Sequence, residues 1–131
     1  MLERLKLLEE NINELMLLKK KYTLKEVQED KTKEWALRYG LLETIQAVID
    51  ISCHLVSKYN LGNPASYSEC IELLGKFSYI DDELTTKLMG MTGLRNLLIH
   101  EYLIIEVDKL YALLNDIGDI NMFAQKINKM V

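Results

Sequence analysis

Between Leu2 and Tyr22 the apolar residues Leu5, Leu8, Ile12, Leu15 and Leu18 recur every three or four positions, which is the spacing of one buried stripe on a helix. Thr23 with Glu26 three residues on makes a capping-box pair, so a second helix starts close to the end of the first. The periodic pattern then continues through Leu41, Ile45, Val48, Ile51, Leu55 and Tyr59. No proline interrupts it, and the spacing predicts one long helix from about Leu24 to Asn60, bending near Gly40, with Trp35 and Tyr39 anchoring the bend. Leu61-Gly-Asn-Pro-Ala-Ser is a loop, because Pro64 bars the residue before it from helical geometry. Ser66 with Glu69 opens a short third helix reaching about Phe77, and Asp81 supplies the N-cap of a fourth. A fifth helix begins near Glu106 and runs through Leu110, Leu113 and Leu114, then past an interruption at Gly118 to Phe123 and Ile127. Sustained alternation of the β kind is absent. The pattern predicts an all-α antiparallel helical bundle of four main helices plus a short one.

Composition agrees with that class. The 131 residues suit a single domain spanning 1–131, and 49% apolar with 27% charged residues and a single proline favours neither disorder nor a turn-rich β fold. A net charge of −4 argues against a broad basic surface that coats nucleic acid, so any contact with RNA or DNA has to be local. The lysines at 19, 20, 21, 25, 31 and 33 are interleaved with Glu26, Glu29, Asp30 and Glu34, which reads as a solvated helix face. Cys53 and Cys70 lack metal-type spacing and read as reduced, buried thiols of a cytoplasmic protein. Neither a secretion signal nor a membrane span is expected. Histidine is too scarce for a zinc site, so no metal or other cofactor is expected.

Chemistry concentrates in the fourth helix. Leu84, Leu88, Met91, Leu94 and Leu98 form its apolar stripe, with Arg95 and Tyr102 inside it, while Asn96 and His100 lie stacked on roughly the opposite side. At about 100° per residue, Arg95 and His100 stand about 140° apart. One straight helix therefore does not aim both at a single atom unless the Arg reaches around, the helix loosens near His100, or a second copy completes the site. An imidazole can take a proton from a ribose 2′-hydroxyl or give one to a leaving oxygen, and a guanidinium stabilises charge developing on phosphate. Asn96 can orient the His or donate to a phosphoryl oxygen, and Tyr102 can donate a proton or stack on a base. The same residues also admit a structural reading, with Arg95 paired to an acid and His100 and Tyr102 packed. Asp50 and His54, four apart on the second helix, read as a facing acid and imidazole pair of the helix itself.

Arg95 and Asn96, then His100 and Tyr102 after it, resemble the Arg-x4-His-x-Tyr signature of the HepT-like HEPN-domain toxins. The resemblance extends to Asn63-Pro-Ala-Ser-Tyr-Ser-Glu-Cys70, to Gly90-Met-Thr-Gly-Leu-Arg95 and to the closing helix. It implies a helical homodimer whose Arg and His sets line a shared cleft, acting as a metal-independent endoribonuclease toxin of a type VII-like toxin-antitoxin system. It further implies a MntA-like minimal nucleotidyltransferase antitoxin that silences the toxin by transferring AMP to the motif Tyr. On that resemblance Arg95 and His100 are catalytic, Asn96 is supporting, and Tyr102 is both supporting and the AMPylation site. The alternative is a non-catalytic HEPN module that binds a nucleotidyltransferase partner or a nucleotide.

Overall fold

The structure is a computed structural model that describes residues 2–100 and 105–130. In chain order it contains α1 (Leu2–Lys21), α2 (Leu24–Glu29), α3 (Lys31–Lys58), α4 (Tyr67–Lys76), α5 (Asp82–His100), α6 (Val107–Ala112), a 3-10 turn (Leu113–Asp116) and α7 (Ile117–Asn128). No strand occurs among the described residues. The long helix α3 lies at the centre and packs against α1, α4 and α5, while α7 closes the bundle against α1 and α5. The predicted stripe of α1 is buried at Leu5, Leu8, Ile12 and Leu15, and it meets a core supplied by Leu37, Leu41, Ile45, Ile51 and Leu55 of α3 and Phe123 and Ile127 of α7. Among the described residues, no helix is long and apolar enough to cross a membrane.

The predicted caps form. Thr23 and Glu26 make the reciprocal capping box of α2, Ser66 accepts from the Glu69 N–H at the start of α4, and Asp81 Oδ1 accepts from the Leu84 N–H at 2.8 Å at the start of α5. The predicted long second helix, however, breaks at Asp30 rather than bending at Gly40. Asp30 takes extended backbone angles and its carboxylate accepts from the N–H groups of Thr32 and Lys33, which ends α2 and caps α3 at one residue. Gly40 lies inside unbroken helix. A Cβ there would stand 2.9 Å from Leu15 Cδ2, so the missing side chain serves a close approach of α1 to α3. Trp35 and Tyr39 accordingly anchor no bend. Both are largely exposed, and Tyr39 donates to Glu43 Oε2 at 2.6 Å. The interruption of the last helical stretch falls just before Gly118, in the 3-10 turn.

The cysteines correct a further expectation. Packing of α4 on α3 brings Cys53 and Cys70 together, with Cα atoms 5.0 Å apart, and they are joined as a disulfide. Two elements that carry the loop beside the site are thereby cross-linked.

Helices α4 and α5 approach each other closely at Gly75. A Cβ on Gly75 would lie 2.3 Å from the hydroxyl of Thr85, which itself donates to the Asp81 carbonyl at 2.7 Å. Gly75→Ala is expected to force the two helices apart and to cost about 1–3 kcal/mol of stability, read from the urea midpoint. An unchanged midpoint would mean that the contact relaxes without cost.

Candidate active site

Helix α5 stays regular through His100, so the loosening considered for this point does not occur within the described residues. Its buried face is Leu84, Leu88 and Leu98, with Met91 and Leu94 partly buried against the core, as the stripe predicted. His100 and Asn96 are exposed and Arg95 is half-buried. Tyr102 lies outside the described residues.

Arg95 is held across the helix pair by neutral groups. Its Nε donates to Gln46 Oε1 of α3 at 2.8 Å, and its Nη1 donates to Asn96 Oδ1 at 3.1 Å. The guanidinium carbon also stands 5.0 Å from the ring centroid of Tyr67, in cation–π contact at the head of α4. Among the described residues, no carboxylate lies within ion-pair distance of Arg95. Among the described residues, therefore, Arg95 forms no pair with an acid. Two amides and an aromatic face orient the group while leaving its whole positive charge available to an anion.

Gln46 was not singled out in the sequence, and its role has a definite chemical basis. Its amide nitrogen donates to Asp50 Oδ1 at 2.9 Å, one turn further along α3. That bond commits the NH2 end of the amide to Asp50 and turns the carbonyl oxygen toward Arg95. Asp50 thus acts through Gln46 and not through His54, with which it makes no hydrogen bond among the described residues. The imidazole of His54 is held below its ordinary pKa, first by burial and then by the nearby cations Arg4 and Lys58, which favours the neutral ring. The only sequence signal for Gln46 is its position one turn before Asp50 on a polar edge of α3.

Gln46→Glu is expected to place a carboxylate against Arg95 and cancel the charge that Gln46 leaves free. Weaker binding of short RNA and a reduced slope of affinity against salt are the expected results, by about one phosphate contact. An unaltered salt slope would show that Arg95 does not meet phosphate.

On the outward side of α5, Thr86, Gly90, Gly93, Leu97 and His100 recur at four and three, and all are exposed. Among the described residues, a Cβ on either glycine would meet nothing within 4 Å. This seam is bare, with the backbone accessible for close approach by another helix.

The family model described as Ribonuclease HepT-like matches residues 8–130. A tRNA nuclease HepT of Aphanizomenon flos-aquae is 41% identical over 63 residues, covering 47% of this chain and 43% of that protein. An mRNA nuclease HepT of Shewanella oneidensis is 31% identical over 81 residues, covering 62% of this chain and 61% of that protein. The chain thus spans about half the length of the curated relatives it matches. Among solved structures, the tri-AMPylated HEPN toxin of Shewanella oneidensis in complex with MNT antitoxin superposes with a TM-score of 0.88 at 22% identity, covering 98% of this chain and 96% of that one. The cytosolic protein YutE of Bacillus subtilis, of unknown function, superposes at 0.82 with 17% identity, covering 98% and 88%. These two likenesses concern the fold alone.

Proposed function

The chain belongs to the Ribonuclease HepT-like family, and from that premise we propose that it is a metal-independent endoribonuclease acting in the cytoplasm as the toxin of a toxin-antitoxin pair. The observation that carries this reading is an Arg95 guanidinium oriented by Gln46 and Asn96 and neutralised by no carboxylate among the described residues, on the same helix as an exposed His100. Such a pair suits the phosphodiester itself. One imidazole takes the proton of the ribose 2′-hydroxyl, the 2′ oxygen attacks phosphorus, and the bond to the 5′ oxygen breaks. The leaving oxygen takes a proton from an imidazolium, and the products are a 2′,3′-cyclic phosphate and a 5′-hydroxyl. Arg95 balances the charge gathered on the phosphoryl oxygens, and Asn96 holds Arg95 in place.

The bare seam of α5 supports a homodimer. Two such faces packed about a two-fold axis bring the two His100 groups together, while each Arg95 starts from the side of α5 that faces α3 and α4. Since the two stand about 140° apart on one straight helix, the long Arg95 side chain has to reach around α5 toward the imidazoles gathered there, and the imidazole of one copy then serves the guanidinium of the other. The catalytic pair is Arg95 and His100, with Asn96 and Tyr102 supporting.

Control by a MntA-like nucleotidyltransferase antitoxin fits the same site. AMP joined to Tyr102, two residues beyond His100 in the chain, adds bulk and negative charge where a polyanion must enter. The test is a cleavage assay on the purified protein in excess chelator, with and without prior co-expression with such an enzyme and with intact mass as the record of AMP transfer. Cleavage by the unmodified protein, lost on AMP addition, is the expected result. A stable complex with the antitoxin but no cleavage of varied RNAs would instead favour the non-catalytic module.

A further inference from the structure

Beside Arg95 the molecule carries a groove of about 580 Å³, and of its lining only Asn96 enters the cleavage chemistry. It runs between the loop before α4 and the flank of α5, and it is lined by Pro64, Ser66, Tyr67 and Ser68 on one side and Thr92 and Asn96 on the other, over the Cys53–Cys70 disulfide. Its size falls within the roughly 300–1,000 Å³ of small-molecule sites. On a helix of about 100° per residue, Thr92 and Asn96 fall inside the arc bounded by Arg95 and His100. The groove therefore opens between the two groups assigned to the chemistry.

We infer that this groove is a nucleobase subsite, which holds the base of a nucleotide adjoining the cleaved phosphate and gives the ribonuclease its sequence preference. The place beside a cleaved phosphate rests on the ribonuclease reading, whereas the lining argues for a base on its own. The disulfide and the proline supply apolar lining, and hydroxyls and an amide supply polar lining. Asn96 spends its oxygen on Arg95, which leaves its NH2 group to donate toward the groove. The Ser66 and Ser68 hydroxyls lie 3.3 Å apart and offer both donors and acceptors to a base edge. The Tyr67 ring, with the Arg95 guanidinium already over it, provides a stacked pair of the kind that flanks unpaired bases.

Charge separates a base from a phosphate as the occupant. Glu69 places its carboxylate at this end of α4, where Oε2 accepts from the Ala65 N–H at 2.7 Å. That backbone donor is consequently spent, and a negative group stands beside it. With the Glu69 carboxylate and the Arg95 guanidinium both near it, the groove has no net charge to draw in a second phosphate, and its apolar lining suits an uncharged base.

The experiment uses the His100→Ala protein and fluorescently labelled RNA hexanucleotides, each lacking a base at one position, with binding read by anisotropy. One position is expected to matter, with its abasic form binding about tenfold more weakly, the loss of one stacked base. In Thr92→Phe, which fills the groove, and in Tyr67→Ala, which removes an exposed ring, the same abasic substitution is expected to cost less than twofold. Tyr67→Ala keeps the test open should Thr92→Phe fail to fold. Equal penalties with and without the groove, or no binding of any hexanucleotide, would overturn the subsite. If the penalties behave as described while the unmutated protein leaves all RNA intact, the subsite stands and the ribonuclease reading falls.

Discussion

Replacing His100 with alanine is expected to lower the rate of RNA cleavage about 10²- to 10⁴-fold, the loss that follows removal of a general acid–base group. Little else should change. The side chain is exposed at the last residue of α5 and makes no hydrogen bond among the described residues, so its removal opens no cavity. The unfolding midpoint is expected to stay within about 0.5 kcal/mol of the original, as for surface substitutions generally. RNA binding should also persist, because the guanidinium that meets phosphate is untouched. A variant that cuts at the original rate would remove His100 from the mechanism. One that unfolds would reassign it to packing.

A second large effect is expected at the outward seam of α5. Gly93→Arg combined with Leu97→Asp sets charge and bulk on a face where a Cβ at position 93 meets nothing within 4 Å and where Leu97 is 41% exposed. Within one copy the Gly93 change should be neutral or mildly stabilising, since leaving glycine in mid-helix costs up to about 1 kcal/mol relative to other residues. Between copies it should prevent close helix approach. The expected results are a monomer by sedimentation, a melting temperature that no longer rises with protein concentration, and cleavage lowered to the level of the His100 variant. A persistent dimer would move the interface to another face. A monomer that still cuts would show that each copy carries a complete site.

The caps were legible because each is a local pairing of residue types, as at Thr23 with Glu26 and at Asp81 ahead of Leu84. Burial was legible in α1 and α5, where the apolar stripes are periodic. The break at Asp30 was not, since no glycine or proline marks it. The residue ends one helix and caps the next through its own carboxylate. Gly40 misled for a related reason, because a glycine that permits a bend and a glycine that admits the Leu15 methyl look alike in a sequence. The disulfide arises from the packing of α4 on α3, which the spacing of Cys53 and Cys70 does not encode.

At the site, Arg95, Asn96 and His100 stood out because they share one helix and a known signature. Gln46 did not, being an uncharged residue far from Arg95 in the chain whose meaning depends on which end of its amide Asp50 occupies. The family likeness extends over residues 8–130, but a likeness of sequence does not bring Gln46 to Arg95 or open the groove beside Tyr67. Those follow only from where the helices place the side chains.

The most direct test of shared catalysis mixes two inactive proteins, Arg95→Ala and His100→Ala, after exchange of their subunits has been verified by mass spectrometry. Cleavage is expected to return to on the order of a quarter of the original, because half of the exchanged dimers are mixed and each retains one of two Arg–His pairs. A mixture that exchanges subunits fully and stays silent would contradict shared catalysis.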